Sequence, residues 1–214
     1  MTIFLIPVLL FFLGAPKASS KTDSKVEFEN AWVRIVRVHY AAHEKTRYHD
    51  HPSTPTVYIY TTDGGRLRIL HDEKEEPVIR PAVKANSIRF NRGAVEHHQV
   101  EEMDGVASEY LRIELKIEAI DLPGQDVRRA PDDATPFENG MLRILRVTCA
   151  AKSVCPASEH RDDPAVEVIG SHFRWAWPDD RGFTNGTNAP VSIVRVELKS
   201  KPVLKSKAPS HANR

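Results

Sequence analysis

The sequence predicts an all-β protein made of two tandem antiparallel barrels or sandwiches, the second one truncated. Three observations carry this expectation. Leu111, Ile113, Leu115 and Ile117 alternate with Arg112, Glu114 and Lys116, the period of two that lays one apolar strand face on a core. No stretch shows a sustained helical stripe. The segment FENAWVRIVRVHYAA, Phe28 to Ala42, returns as FENGMLRILRVTCAA, Phe137 to Ala151, identical at 9 of 15 positions at an offset of 109.

The same offset carries Pro55 onto Pro164 and Val57 onto Val166. EYLRIELK, ending at Lys116, matches SIVRVELK, ending at Lys199, at an offset of 83, so the second copy is 26 residues shorter, a loss of several strands. The first unit spans residues 26–117. Within it Val57 to Thr61, Arg66 to Leu70 and Ser87 to Phe90 are β-prone runs, punctuated by Asp63-Gly64-Gly65 and Asn91-Arg92-Gly93. Residues 118–136, rich in Pro, Asp and Arg, read as a linker, and 137–199 as the degenerate second copy, with Val194, Val196 and Leu198 repeating the alternation. The Lys-, Pro- and Ser-rich tail, 200–214, is expected to be disordered.

At the N-terminus, Ile3 to Leu13 forms an apolar run of 11 residues, too short for a bilayer span and the size of a signal-peptide core. Ala18-Ser19-Ser20 supplies a small-x-small cleavage site, with Ala15 as the alternative. Residues 1–20 therefore read as a leader, the product as secreted or periplasmic without a stable membrane span, and Lys21 to Lys25 as a polar linker. An uncleaved anchor or interfacial helix is the competing reading. Cys149 and Cys155 read as two free small hydrophobic residues at the edge of a core, closure of a short loop being the alternative. The formal net charge of +1 falls to 0 when Lys17 leaves with the leader, which argues against a nucleic-acid partner.

Seven of the ten histidines, His39, His43, His49, His51, His71, His97 and His98, fall in the first copy. His49 and His51, one residue apart on an extended strand, project from one face while Asp50 points away, so both imidazoles can approach one ion at about 2.0–2.1 Å. His97-His98 lies on a second β-prone segment. Only one of the two can face inward, and an inward Val100 takes His98 with it.

In these segments the chain resembles the cupin superfamily, whose double-stranded β-helix (jelly-roll) barrels carry a first motif with H-x-H and a second with a single His. Here the first reads HDHPSTPTVYIYTTDGG, His49 to Gly65, and the second NSIRFNRGAVEHHQVEE, Asn86 to Glu102. The resemblance implies a bicupin with metal ligands His49, His51 and His98, His97 being the alternative to His98 by strict counting from Asn86. It also implies a divalent transition metal, Fe, Zn or Mn. Cupin sites usually add a Glu four or five residues after the second His, and those positions here are Thr56 and Val57. In the second copy, Ser158-Glu159-His160 and Arg181 stand at the equivalent places, so that half is expected to be metal-free.

Tyr58, Tyr60 and Arg68 are candidate contacts for a small-molecule ligand, Arg68 for a carboxylate if it points into the barrel. Phe173, Trp175 and Trp177 share a strand face and are expected to form an aromatic core rather than a sugar platform. The functional expectation is an exported cupin with a small-molecule site and a metal in its first barrel, of oxygenase, isomerase or hydrolase class. The alternative is a non-enzymatic ligand-binding or structural cupin, with a homodimer through exposed sheet edges.

Overall fold

The computed structural model describes residues 23–51, 53–71, 75–124, 126–156, 159–160, 162–178, 180 and 182–203. Among them are fifteen strands and no helix: β1 (Asp23–Glu29), β2 (Val33–Tyr40), β3 (His49–His51), β4 (Thr56–Tyr60), β5 (Leu67–Leu70), β6 (Val78–Arg80), β7 (Ile88–Asn91), β8 (Glu96–Glu102), β9 (Ser108–Leu115), β10 (Val127–Arg129), β11 (Phe137–Glu138), β12 (Leu142–Cys149), β13 (Ala165–Ile169), β14 (His172–Ala176) and β15 (Val191–Leu198). They build three sheets, ordered β1-β2-β9-β4-β7-β10, β3-β8-β5-β6 and β11-β12-β15-β13-β14.

The alternation along each strand decides which layer a side chain joins. Val36, Val38, Tyr40 and Tyr110 of the six-stranded sheet meet Ile69 and Val100 of the four-stranded sheet, closing the interior of the first barrel. The neighbouring residues Ile35, Val57, Ile59, Phe90, Leu111 and Ile113 point the other way. They pack on Leu142, Ile144, Val166, Val194 and Val196 of the five-stranded sheet. The central strands β2, β9, β4 and β7 of the six-stranded sheet are thus packed on both faces, one toward the barrel and one toward the second copy. Truncating a fully buried member such as Ile113 to Ala would cost about 2–5 kcal/mol.

The two copies share a sheet plan: β11, β12, β15, β13 and β14 repeat the order of β1, β2, β9, β4 and β7. The truncation falls on the opposite wall. β13 turns directly into β14 through Gly170-Ser171, with Gly170 in the left-handed region at φ 58°, whereas β5 and β6 intervene between β4 and β7. Loops cover the exposed face instead. Cys149 and Cys155 anchor them beside Ile193, and Asn185 Nδ2 donates to the carbonyls of Ala150 and Ala189, each at 2.9 Å.

The residues shared by the copies make the same bonds in each. Asn30 Oδ1 accepts from the amides of Trp32 and Val33, as Asn139 Oδ1 does from Met141 and Leu142. Lys116 reaches Glu29 at 3.1 Å and Lys199 reaches Glu138 at 2.7 Å. A side-chain turn and an ion pair fix the start of each unit against its last strand.

Four expectations need correction. Cys149 and Cys155 are joined as a disulfide with their Cα atoms 5.0 Å apart, rather than free. Within the linker, Val127–Arg129 forms β10, because β7 would otherwise be an open edge and Val127 has the apolar core to pack on. Asp23 to Lys25 belong to β1 rather than to a linker. The first residues of the tail are fixed: Val203 N donates to Lys116 O at 2.8 Å, and Ser200 is buried. The leader, residues 1–20, and the rest of the tail, 204–214, lie outside the described residues, as do Ser158 and Arg181.

Candidate metal centre

β3 pairs antiparallel with β8 in the register His49↔His98, Asp50↔His97 and His51↔Glu96. Because residues directly opposite one another share a face, His49, His51, His98 and Glu96 line the interior while Asp50 and His97 stand outside. The ring centroids are 4.9 Å apart for His49 and His51, 4.9 Å for His49 and His98, and 4.7 Å for His51 and His98. One donor atom from each of the three lies within 4.8 Å of the others. His97 is a correction to the alternative ligand set: its Nδ1 sits 2.7 Å from Asp50 Oδ1 on the outer surface.

The electrostatics favour neutral rings at His51 and His98. Burial, followed by the neighbouring His98, Arg112 and His49, pushes His51 down to about 3. Burial also lowers His98, against the opposing pull of Glu96. His49 Nδ1 faces the Arg47 carbonyl at 3.0 Å, so that nitrogen carries the proton and Nε2 keeps its lone pair. His51 Nε2 is buried without a hydrogen-bond partner. His98 Nδ1 lies 3.2 Å from Glu96 Oε2 but out of line for a hydrogen bond. Convergent imidazoles with buried nitrogens that make no hydrogen bond are the donor set that a divalent transition metal takes, so the residues fit the group. Arg112 works against a cation, its Nη1 being 3.4 Å from His51 Nδ1, yet Glu114 pairs its other nitrogen at 3.0 Å.

The acid absent from the first motif is found elsewhere. Thr56 bonds back to the Thr54 carbonyl, and Val57 faces the second copy. Glu96 instead reaches the cluster from β8, and His71, Glu96 and His98 form a second triplet, also within 4.8 Å, that shares His98 with the first. His98 beside it holds the Glu96 carboxyl down at about 2. The parity argument that turns His98 inward applies equally to Glu96, two residues earlier, and is the signal that would have found it.

The ligand candidates divide. Tyr58 and Tyr60 face the interior, packed against its apolar cluster. Arg68 does not, which corrects its expected role: Leu67 and Ile69 take the inward positions of β5, and Arg68 pairs with Glu101 outside at 3.0 Å. The inward arginines are Arg80, Arg89 and Arg112, none of them expected from sequence. Of the aromatic trio, Phe173 and Trp175 pack beside Phe28, with centroids 6.3 and 6.0 Å from it, and only Trp177 is exposed.

Two cavities flank the pair Tyr40 and Tyr110, whose hydroxyls are 3.4 Å apart. One, of about 390 Å³, opens onto His49, His51, Arg47 and Arg112. The other, of about 320 Å³, is lined by Tyr60, Leu67, Arg80, Arg89 and Ser108.

No family model matches this sequence, and no curated protein does either. The architecture does match solved structures. The chain is similar to bacterial pirin YhhW in complex with nickel(II) from Escherichia coli, with TM-score 0.58 and 11% identity over 89% of this chain and 96% of that one. The fold is that of the cupins. A second cupin-fold neighbour is AerE from Microcystis aeruginosa, with TM-score 0.55 and 12% identity over 86% of this chain and 95% of that one. At these identities the likeness concerns the cupin fold alone.

Proposed function

We propose that this is an exported cupin whose first barrel binds a divalent transition metal on His49, His51 and His98 and acts on a small molecule held beside it. The observation that carries the proposal is the convergence of three inward imidazoles, two of them with buried unpaired nitrogens. A bound metal would polarise an oxygen or lower the pKa of a water. The protein's own part is to keep His51 and His98 neutral by burial, to fix His49 through the Arg47 carbonyl, and to place Glu96 beside His98. The nickel named for the pirin neighbour supports a metal in this fold without naming the metal here. The leader 1–20 and a homodimer belong to the same proposal, read by N-terminal sequencing of the exported product and by sedimentation velocity.

A second reading, a ligand-binding cupin without metal, is favoured by one feature, the Arg112 guanidinium beside His51. Elemental analysis of the chain from Lys21, without a His-tag, separates the two when run beside the double variant His49→Ala, His51→Ala. One equivalent of metal in the parent and none in the variant is expected. Metal-free protein after reconstitution with Fe, Zn and Mn would overturn the metal reading.

A further inference from the structure

Register relates the two copies in a way that bears on the ligand. In the second sheet Glu167 stands opposite Arg174 on one side and Arg195 on the other, and bonds both, at 2.6 and 2.7 Å. In the first copy the corresponding place belongs to Tyr58, opposite Arg89 and Arg112. The two arginines remain and the carboxylate between them is gone. Arg89 turns to Asp126 at 2.8 Å, with its guanidinium carbon 5.0 Å over the Tyr58 ring, and Arg112 turns to Glu114.

A third arginine joins them from the opposite wall. Arg80 sits across from Leu67 in the β5–β6 ladder and shares its inward face. It lines the 320 Å³ cavity together with Arg89, Tyr60 and Ser108. Among the described residues it has no ion-pair or hydrogen-bond partner. Glu96 lies in its field, but the two form no ion pair. Burial and the neighbouring Arg89 charge lower the Arg80 guanidinium from its ordinary value, as expected where no anion is in contact. A half-buried cation with no anion in contact is costly unless something pairs with it.

We infer that the cavity between Arg80 and Arg89 is a binding site for a small organic carboxylate, with Arg80 as its principal anchor. The guanidinium fork matches a carboxylate in a planar, two-point contact. The Tyr60 ring and Leu67 offer an apolar bed for a short carbon skeleton, and Ser108 a hydroxyl at the far wall. Tyr40 and Tyr110 border this cavity and the histidine cavity alike, so the two adjoin across that tyrosine pair. The inference deepens that reading by naming a ligand class. It does not need the metal, and its test uses chelated protein, so its failure and that of the metal site are read separately.

The experiment is saturation-transfer NMR and calorimetric titration of the metal-free chain from Lys21 with benzoate, succinate, the uncharged benzamide and inorganic phosphate. The parent is expected to bind benzoate or succinate, and benzamide at least about tenfold more weakly, since a hydrogen-bonded charge is lost. Arg80→Gln is expected to weaken the carboxylate by about 10- to 100-fold, and Arg80→Lys to restore part of it as a point charge. Circular dichroism of each variant confirms that it is folded. The inference is overturned if no carboxylate binds the parent, if phosphate binds and neither carboxylate does, or if folded Arg80→Gln binds as the parent does. The last result would assign Arg80 to Glu96 instead.

Discussion

His97 and Asp50 face each other at 2.7 Å on the outer side of the same two strands whose inner side carries His49, His51 and His98. Adjacent residues of one dipeptide thereby serve opposite surfaces. Exposed pairs of this kind contribute about 0–1 kcal/mol. His97→Ala is expected to leave metal stoichiometry unchanged and stability within about 1 kcal/mol of the parent, while His98→Ala loses the metal. Elemental analysis and urea unfolding of the two variants check this, and equal metal loss in both would reject the assignment.

The depressed histidines set a pH dependence for the metal-free protein. His51, held near 3 by burial, and His98, lowered for the same reason, stay neutral in the folded state while their unfolded counterparts protonate below about 6.5. The unfolded state then binds more protons, so stability falls as pH drops from about 6.5 toward 3 and is flat above that window. Urea midpoints at pH 7.5, 6 and 4.5 read the trend, together with the same series for His51→Gln, whose slope should be shallower. A flat profile would show that these rings are solvated.

The second copy should tolerate no change at Glu167. That carboxylate is buried between Arg174 and Arg195, and removing it leaves Arg195, itself buried, with the Pro156 carbonyl at 2.7 Å as its one side-chain hydrogen-bond acceptor among the described residues. Glu167→Ala is expected to cost about 3–5 kcal/mol by equilibrium unfolding. A loss below about 1 kcal/mol would mean that water replaces the carboxylate.

Much of this fold was legible because alternation was strict. Leu111, Ile113 and Leu115 against Arg112 and Glu114 define both faces of β9, and Val100 and His98 are buried on one face of β8. Arg68 was misplaced because charged residues alternating on a short strand can face either way, and only the pairing of Leu67 and Ile69 with β8 decides it. Arg80 was illegible for a related reason. Its direction follows from a hairpin partner thirteen residues upstream, and Val78 and Ile79 beside it are exposed apolar residues that invert the usual cue. β10 was hidden in a segment whose composition is that of a loop.

The Cys149–Cys155 bridge closes a loop of only six residues' separation, so its contribution is modest. The loop-entropy model gives roughly 2 kcal/mol for such a span. Cys149→Ala, Cys155→Ala should therefore lower the midpoint without unfolding the chain or altering the first barrel. Thermal melts with and without reductant check the magnitude, and an unchanged midpoint would show that the bridge is absent in solution.

Tyr58 and Val57, or Arg89 and Phe90, are neighbours along one strand, yet one of each pair meets the barrel interior and the other meets the second copy. The half without the three-histidine cluster is therefore the backing of the half that has it. A fragment ending at residue 117 would present Ile35, Val57, Phe90 and Ile113 to water as one broad oily surface, a recipe for clumping. The two faces of the second sheet are thus held by different things: Glu167 and Arg174 of β13 and β14 by their own ion pairs, Val166 and Val196 by the shape of the first barrel on which they pack.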